Sequence, residues 1–392
     1  MSTERDVLIT GIGLVSCLGE GVDAHWQALN AAPFTPTLDT ETFAPFAVHP
    51  IVKLEFDKQI PKRGDQRTME PWQRIGTYAA GLALDAAGIK GNAELLDRTD
   101  MIVAAGGGER DYAVDAAILS ALPGAENPGV KLNEMLMSDL RPTLFLAQLS
   151  NLLAGNISVV HGVVGASRTF MGEEAAGVDA VRIGCARIAD GTSDLLLVGG
   201  SYNAERPDIL LHYAMGRVLW TQPYAPIAQR AGAGGGMLPG SVGCFLVLES
   251  RAHALRRNAA PIARIAGIQS DRCNRAPGAA SANAQRQFDA LCAGRDMGGT
   301  AVISGASGVG AEEQVFLRGL NLAIRSPASA LGHSLEPSFP ANLALAAMAV
   351  ARAKLFAPLE ADEATMDATL NNALVTAWGH WRGEGMALVT TA

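Results

Sequence analysis

The chain has 392 residues, 48% of them hydrophobic and 18% charged, and carries a net charge of −8. That is enough apolar material for a large or duplicated core, and too little charge for a disordered chain. Lys plus Arg number 31 against 39 Asp plus Glu, which excludes the whole-protein basic field used to bind nucleic acid or an anionic membrane.

The first residues, Met1-Ser-Thr-Glu-Arg-Asp6, are polar and lack the apolar core of a secretion signal. A short apolar run that ends in a glycine-rich turn then recurs along the chain. It appears as Asp6–Gly13, Met101–Gly108, Asp194–Gly200, Ala301–Gly308 and Ala373–Gly379. Runs of this length without alternation suit strands buried on both faces. Helical spacing marks Trp72, Ile75, Ala79, Leu82 and Ala86, with Gly88 as a stop, and again Val178, Val181, Cys185 and Ile188 after Glu173-Glu174. The segment from Pro223 to Gly243 is rich in Gly and Pro, Cys244–Leu248 reads as a strand, and Pro261–Gly267 reads as another. Residues 269–298 read as a loop or peripheral helices. The longest apolar stretch, Leu343 to Ala351, stops at Arg352, short of the ~20 residues of a membrane span. The pattern predicts a layered α/β fold with two halves, 1–255 and 256–392.

Spacing alone yields no assured active site. Gly11-Ile-Gly13 lacks the third glycine of a dinucleotide fingerprint, and a turn with no cofactor is the better reading. Gly305-Ala-Ser307-Gly308 misses the GxSxG pattern by one position. Seven histidines form no metal-ligand spacing, and five scattered cysteines form neither a disulfide framework nor a CxxC pair. A cytoplasmic chain with no metal and no cofactor is expected. Lys62, Arg63, Arg67 and Arg74 form a basic cluster in an acidic protein. A solvated face is the plain reading, and a docking spot for an acidic partner the sharper one. Simple capping would explain Glu173-Glu174 at a helix start.

Six motifs in order carry a resemblance over nearly the whole length. They are Val7–Ser16 with Leu18-Gly19, then Ala86-Ala-Gly-Ile89, then Gly162-Val-Val-Gly165. Gly177-Val178 with Asp194 through Gly200 comes next, followed by Gly243–Glu249 and Gly332-His333. The chain resembles a β-ketoacyl-[acyl carrier protein] synthase of the thiolase fold. The resemblance implies two related βαβαβ halves in an αβαβα layering.

The departures from that family bear on function. Counting back from Gly199-Gly200, the family's nucleophilic cysteine falls on Glu174. Its first catalytic histidine falls on Gly305 and its lysine on Ala328, so that His333 alone remains. The C-terminal glycine-phenylalanine gate is replaced by Trp378-Gly-His380-Trp-Arg382, and Pro337 and Pro340 interrupt the helix start after His333. Condensation needs a thiolate to hold the acyl chain and two imidazoles to support decarboxylation. Cys185, about three turns beyond Glu174, reads as core. A synthase fold without these residues is similar to the chain-length factor, the inactive β subunit of type II polyketide systems, with the aryl-polyene branch the nearest in length. The resemblance implies a heterodimer with a catalytic ketosynthase and contact with acyl carrier protein through Lys62, Arg63 and Arg67. It implies interface segments at 109–122 and 142–155, with Phe145, Gln148, Leu149 and Leu152 facing the tunnel or the partner, ordinary core packing being the rival reading. Glu174 would fill the cysteine site and pair with His333. The alternatives are a malonyl carrier-protein decarboxylase that primes chains and a homodimeric acyl- or carrier-binding scaffold.

Overall fold

The computed structural model describes residues 3–31, 33–381 and 383–392. Arg382, part of the replaced gate, lies outside the described residues. Ten strands make up the body of the fold. In the first half they are β1 (Val7–Ser16), β2 (Asp100–Ala104), β3 (Ser167–Phe170), β4 (Leu195–Tyr202) and β5 (Val242–Ser250). In the second they are β6 (Ala263–Asp271), β7 (Thr300–Ile303), β8 (Ala323–Arg325), β9 (Asn372–Trp378) and β10 (Glu384–Thr390). A two-residue strand, Gly19–Glu20, adds to β1.

The spatial order exposes the duplication. It runs β3-β2-β4-β5-β1 in the first half and β8-β7-β9-β10-β6 in the second. β2 is parallel to β3 and β4, as β7 is to β8 and β9, and the remaining neighbours in each half are antiparallel. The halves join where Val7–Ile9 of β1 runs antiparallel to Ala263–Ile265 of β6.

Eight helices matter for the site. They are α1 (Pro71–Ala86), α2 (Tyr112–Ala121), α3 (Pro128–Asp139), α4 (Leu152–His161), α5 (Glu173–Ala189), α6 (Pro207–Met215), α7 (Ala279–Cys292) and α8 (Ser338–Ala351). Strand alternation sorts the layers. Ile102 and Ala104 join the central core with Val178, Val181, Leu345 and Met348, whereas Met101 and Val103 turn to Ile75, Ala79 and Ala83 of α1. In the second half Ala301, Ile303, Ala373 and Val375 face the centre, and Val302 and Leu374 face Ala284 and Leu291 of α7. Helices α5 and α8 therefore lie back to back between two sheet faces, with α1 and α7 outside, giving the αβαβα order. No helix among the described residues is long and apolar enough to cross a membrane.

Several sequence expectations need correction. Gly11 and Gly13 form no turn: β1 continues through both, with a register shift between Ile9 and Gly11. A Cβ at Gly13 would lie 1.9 Å from the carbonyl oxygen of Ala79, so glycine is there to let α1 lie against the strand. Ala86 is exposed, and α1 buries Ala83 and Leu84 instead. Residues 269–298 hold the outer helix α7, as one of the two readings expected, but they begin with the end of β6, which was not expected. Pro337 and Pro340 do not interrupt α8. They sit at its N-cap and first turn, where no backbone N–H is needed for an intrahelical bond.

Candidate functional site

The turn from β3 into α5 is tight. Gly172 has φ 132° and Glu173 has φ 53°, a left-handed conformation that non-glycine residues adopt at a cost and that clusters at functional positions. The turn sets Glu174 in the first turn of α5, where the helix dipole favours a carboxylate. Glu174 is buried, and His333 Nε2 donates to its Oε1 at 2.8 Å. His333 is held from behind, its N–H donating to Leu238 O and its carbonyl accepting from Gly240. Burial works to raise the Glu174 carboxyl. The His333 hydrogen bond and charge, with the backbone and His380, outweigh it and hold the group below the usual carboxylate range.

Gly305 follows β7 and its N–H donates to Thr376 Oγ1 at 3.0 Å. A Cβ here would lie 2.5 Å from the Thr376 carbonyl oxygen and 2.8 Å from Ala377 Cα. The backbone of β9 thus occupies the space a side chain at 305 would enter. Thr376 Oγ1 donates onward to Glu313 Oε1 at 2.8 Å, and Ser304 Oγ donates to the same oxygen at 3.3 Å. Burial, helped by the charge of Glu174, pushes Glu313 up to about 7 against these hydrogen bonds. Glu336 is likewise buried and pushed up to about 7, with the charges of Glu174 and Glu173 adding to the burial. Ala328 is buried beside Gly305 and His333, where the void measures about 10 Å³. That is about one water molecule.

Among the described residues, the thiol of Cys17 meets an imidazole. Cys17 Sγ lies 3.8 Å from His49 Nδ1, but it donates to Ala330 O at 3.2 Å and both residues are buried. Burial pushes the thiol up to about 12 and the imidazole down to about 3, so no thiolate forms near neutral pH. Cys185 is buried on α5 with its thiol pushed up to about 12 by burial, as expected of a core residue. Among the described residues no group of His, Cys, Asp and Glu is arranged to hold a metal.

Two further clefts are lined by neighbours of Glu174 and by the C-terminal segment. The first measures about 600 Å³ and is lined by Trp72, Met171, Glu173, Tyr202, Tyr213 and Glu336, among others. The second measures about 240 Å³ and is lined by Arg275, Ser307, Glu313, Trp378 and His380, among others. Trp381 of the gate segment stacks on Tyr213 of α6, with ring centroids 6.2 Å apart and planes at 22°. His380 meets Trp381 edge-on at 4.4 Å.

The tunnel candidates divide. Phe145 is 68% exposed and Gln148 is exposed, Leu149 and Leu152 are half-buried, and the core contacts of this stretch fall to Leu144, Ala147 and Leu153. None of the four lines the 600 Å³ cleft. The basic residues converge: Arg63, Arg67 and Arg74 line a surface cleft of about 460 Å³, while Lys62 is exposed just outside it. Sequence reading missed Arg141, which closes that cleft and pairs with Glu70 at 2.6 Å. It also missed Glu313, Glu336 and Tyr213. No local pattern marks them, because each reaches the site from a different segment.

Residues 4–254 match the family description "Beta-ketoacyl synthase, N-terminal domain". The chain is 24% identical over 275 residues to 3-oxoacyl-[acyl-carrier-protein] synthase 2 of Vibrio cholerae, covering 68% of this chain and 63% of that protein. It is 30% identical over 265 residues to the actinorhodin polyketide putative beta-ketoacyl synthase 2 of Streptomyces coelicolor, covering 64% of this chain and 60% of that protein. The matched regions thus span less than two thirds of these relatives' length. In fold it is similar to the ishigamide ketosynthase/chain length factor, with a TM-score of 0.78 at 20% identity and 99% of each chain covered. A β-ketoacyl synthase from Burkholderia phymatum gives 0.77 at 18% identity, again over 99% of both chains. The repeated strand order, the paired central helices and the residues matched from 4 to 254 agree: this chain belongs to the β-ketoacyl synthase family.

Proposed function

We propose that this chain is a non-catalytic, chain-length-factor-like subunit that pairs with a catalytic ketosynthase and shapes the space that receives the partner's growing acyl chain. The observation that carries this reading is the buried Glu174–His333 pair at the position where the family keeps its cysteine. A carboxylate there cannot hold a thioester, and it repels an incoming malonyl group. The glycine at 305 supplies no imidazole, and the void of about 10 Å³ beside His333 leaves no room for a reacting thioester. The same two facts weigh against a priming decarboxylase, which needs donors for the developing oxyanion.

The surface supports a partner. Among the described residues β3 is the last strand of the first half and has no neighbour on its outer side. Leu119 of α2, Met137 of α3, Phe145 and Met171 are all more than half exposed. Exposed apolar side chains and an open strand edge each mark an association surface. The occupant we assign is the catalytic ketosynthase, which the fold likeness to a ketosynthase/chain length factor supports. Within that class we favour the aryl-polyene branch. The arginine cleft at 63–74 fits the acidic carrier protein that serves the pair. Co-expression with a ketosynthase encoded beside this gene, followed by size exclusion, tests the assignment. Co-elution as a 1:1 complex is expected, and separate elution at micromolar concentration would overturn it.

A further inference from the structure

Residues 110–143, which include α2 and α3, are weakly anchored. Ile118 is the one buried residue among them, α3 buries none, and Tyr112, Leu119, Val130 and Met137 are more than half exposed. The two helices pack on each other. The segment is gripped at its two ends, both times by the start of α1. At one end Glu109 accepts from the N–H of Trp72 at 3.0 Å. At the other, Arg141 pairs with Glu70 at 2.6 Å and Gln73 donates to the carbonyl of Leu146 at 3.4 Å. Arg141 also lies 3.7 Å from Asp111, which ties the two ends to each other. A segment with so few buried apolar contacts opens at low free-energy cost. An ion pair to a guanidinium that is 46% exposed holds little by itself.

Arg141 has a second place in the molecule. It lines the 460 Å³ cleft with Arg63, Arg67 and Arg74, and the carboxylates in that lining are Asp57 and Glu70. Four guanidinium groups against two carboxylates leave a surplus of positive charge, so the four repel one another. Arg63 and Arg67 stand on the short helix Arg63–Thr68 and Arg74 on α1, whereas Arg141 stands on the weakly anchored segment. The repulsion therefore pushes the segment away from the body. Acidic groups seated in the cleft cancel it and draw Arg141 inward.

We propose that the arginine cleft and residues 110–143 are coupled through Arg141, so that an acidic carrier protein in the cleft holds the segment against α1. This rests on the docking reading above. Coupling of two binding events is reciprocal. A partner subunit that covers Leu119 and Met137 and fixes the segment then raises the affinity for the carrier by the same factor, and the paired subunit takes the carrier more tightly than the free one.

Amide hydrogen exchange on the isolated chain tests this without a ketosynthase, with the acidic carrier protein encoded beside this gene as the probe. Fluorescence anisotropy first establishes the concentration that saturates binding. Saturating carrier is expected to slow exchange across residues 112–139 about fivefold or more. Arg141→Ala, at an exposed position that spares the core, is expected to weaken binding and, once saturated, to lose the slowing. Glu70→Gln keeps an acceptor for the first turn of α1 but removes the charge that holds Arg141. It is expected to speed exchange of the segment in the free chain and to leave the carrier-bound rate near that of the wild type. Bound carrier without slowing, or slowing that persists in saturated Arg141→Ala, would overturn the coupling and leave the docking reading standing. No binding of carrier to the wild type would overturn the docking reading, and the coupling with it.

Discussion

Glu174 and His333 stand 159 positions apart in the chain and share a buried hydrogen bond of 2.8 Å. One opens the central helix of the first half and the other precedes the central helix of the second, so the pair fastens the two halves at the point where their helices meet. Removing one partner of such a pair leaves a buried polar group alone, at a cost of about 3 kcal/mol or more. Glu174→Ala is expected to lower stability by that order in urea unfolding. The double change Glu174→Met with His333→Leu should recover most of it, since well-packed apolar replacements of buried pairs are often neutral. A double variant no more stable than Glu174→Ala would show that the pair does not act as a unit.

Restoring the family's residues should not restore its chemistry. Glu174→Cys supplies a thiol, yet Gly305→His must drive a side chain into the β9 backbone at Thr376 and Ala377. Overpacking of this kind costs about 1–3 kcal/mol. The expected outcome for the double variant is a lower melting temperature and no condensation of malonyl- and acyl-carrier protein above background. Carbon–carbon bond formation by the isolated double variant would contradict the account of Gly305.

Stability against pH should be nearly flat in a window where single groups pull hard. Burial raises Glu313, Glu336 and Glu363 from 4.5 to about 7. The folded chain holds those protons more tightly, so their contribution is lost as pH rises through that range. Burial lowers His25 and His161 to about 4 and His49 to about 3. Here the unfolded chain holds the protons more tightly, and stability is gained as pH rises toward 6.5. The two sets oppose each other between about pH 4.5 and 6.5. Below it the histidines charge. Glu249, which burial raises but Arg257, His253 and Thr10 together hold at about 2, loses its advantage as pH falls from 4.5. Melting temperature measured from pH 3 to 9 should show a plateau and an acid collapse. Glu313→Gln should gain on the wild type as pH rises from 5 to 8, and a gain in the opposite sense would refute the assignment.

Carrier-protein binding is expected to depend on the arginine cleft. Arg63→Glu with Arg67→Glu should weaken it at least tenfold at low salt, with the difference shrinking at high salt as exposed charges are screened. Titration of the holo carrier protein by fluorescence anisotropy at two salt concentrations reads this directly. Unchanged affinity would leave those residues as a solvated face.

Much of this molecule was written along the chain. The apolar runs at 7–13, 101–108, 194–200, 301–308 and 373–379 all contain strands, because a strand buried on both faces needs continuous apolar residues whatever surrounds it. The helical spacing of Val178, Val181, Cys185 and Ile188 likewise marked the buried face of α5. Position counting from Gly199-Gly200 puts Glu174 where the resemblance implies the nucleophile, and the proposal of a non-catalytic site starts from that residue type. What the chain could not state was proximity across long separations. That Glu313 is a proton-holding neighbour of Gly305, that Arg141 closes the cleft of Arg63 and Arg67, and that Trp381 rests on Tyr213 all depend on segments brought together by the duplicated sheet. The start of α8 was misjudged, because whether Pro337 and Pro340 break a helix or open it depends on their place in its first turn, which spacing does not encode. Local periodicity is a property of neighbours in sequence, whereas a site is a property of neighbours in space, and burial and charge act on the second.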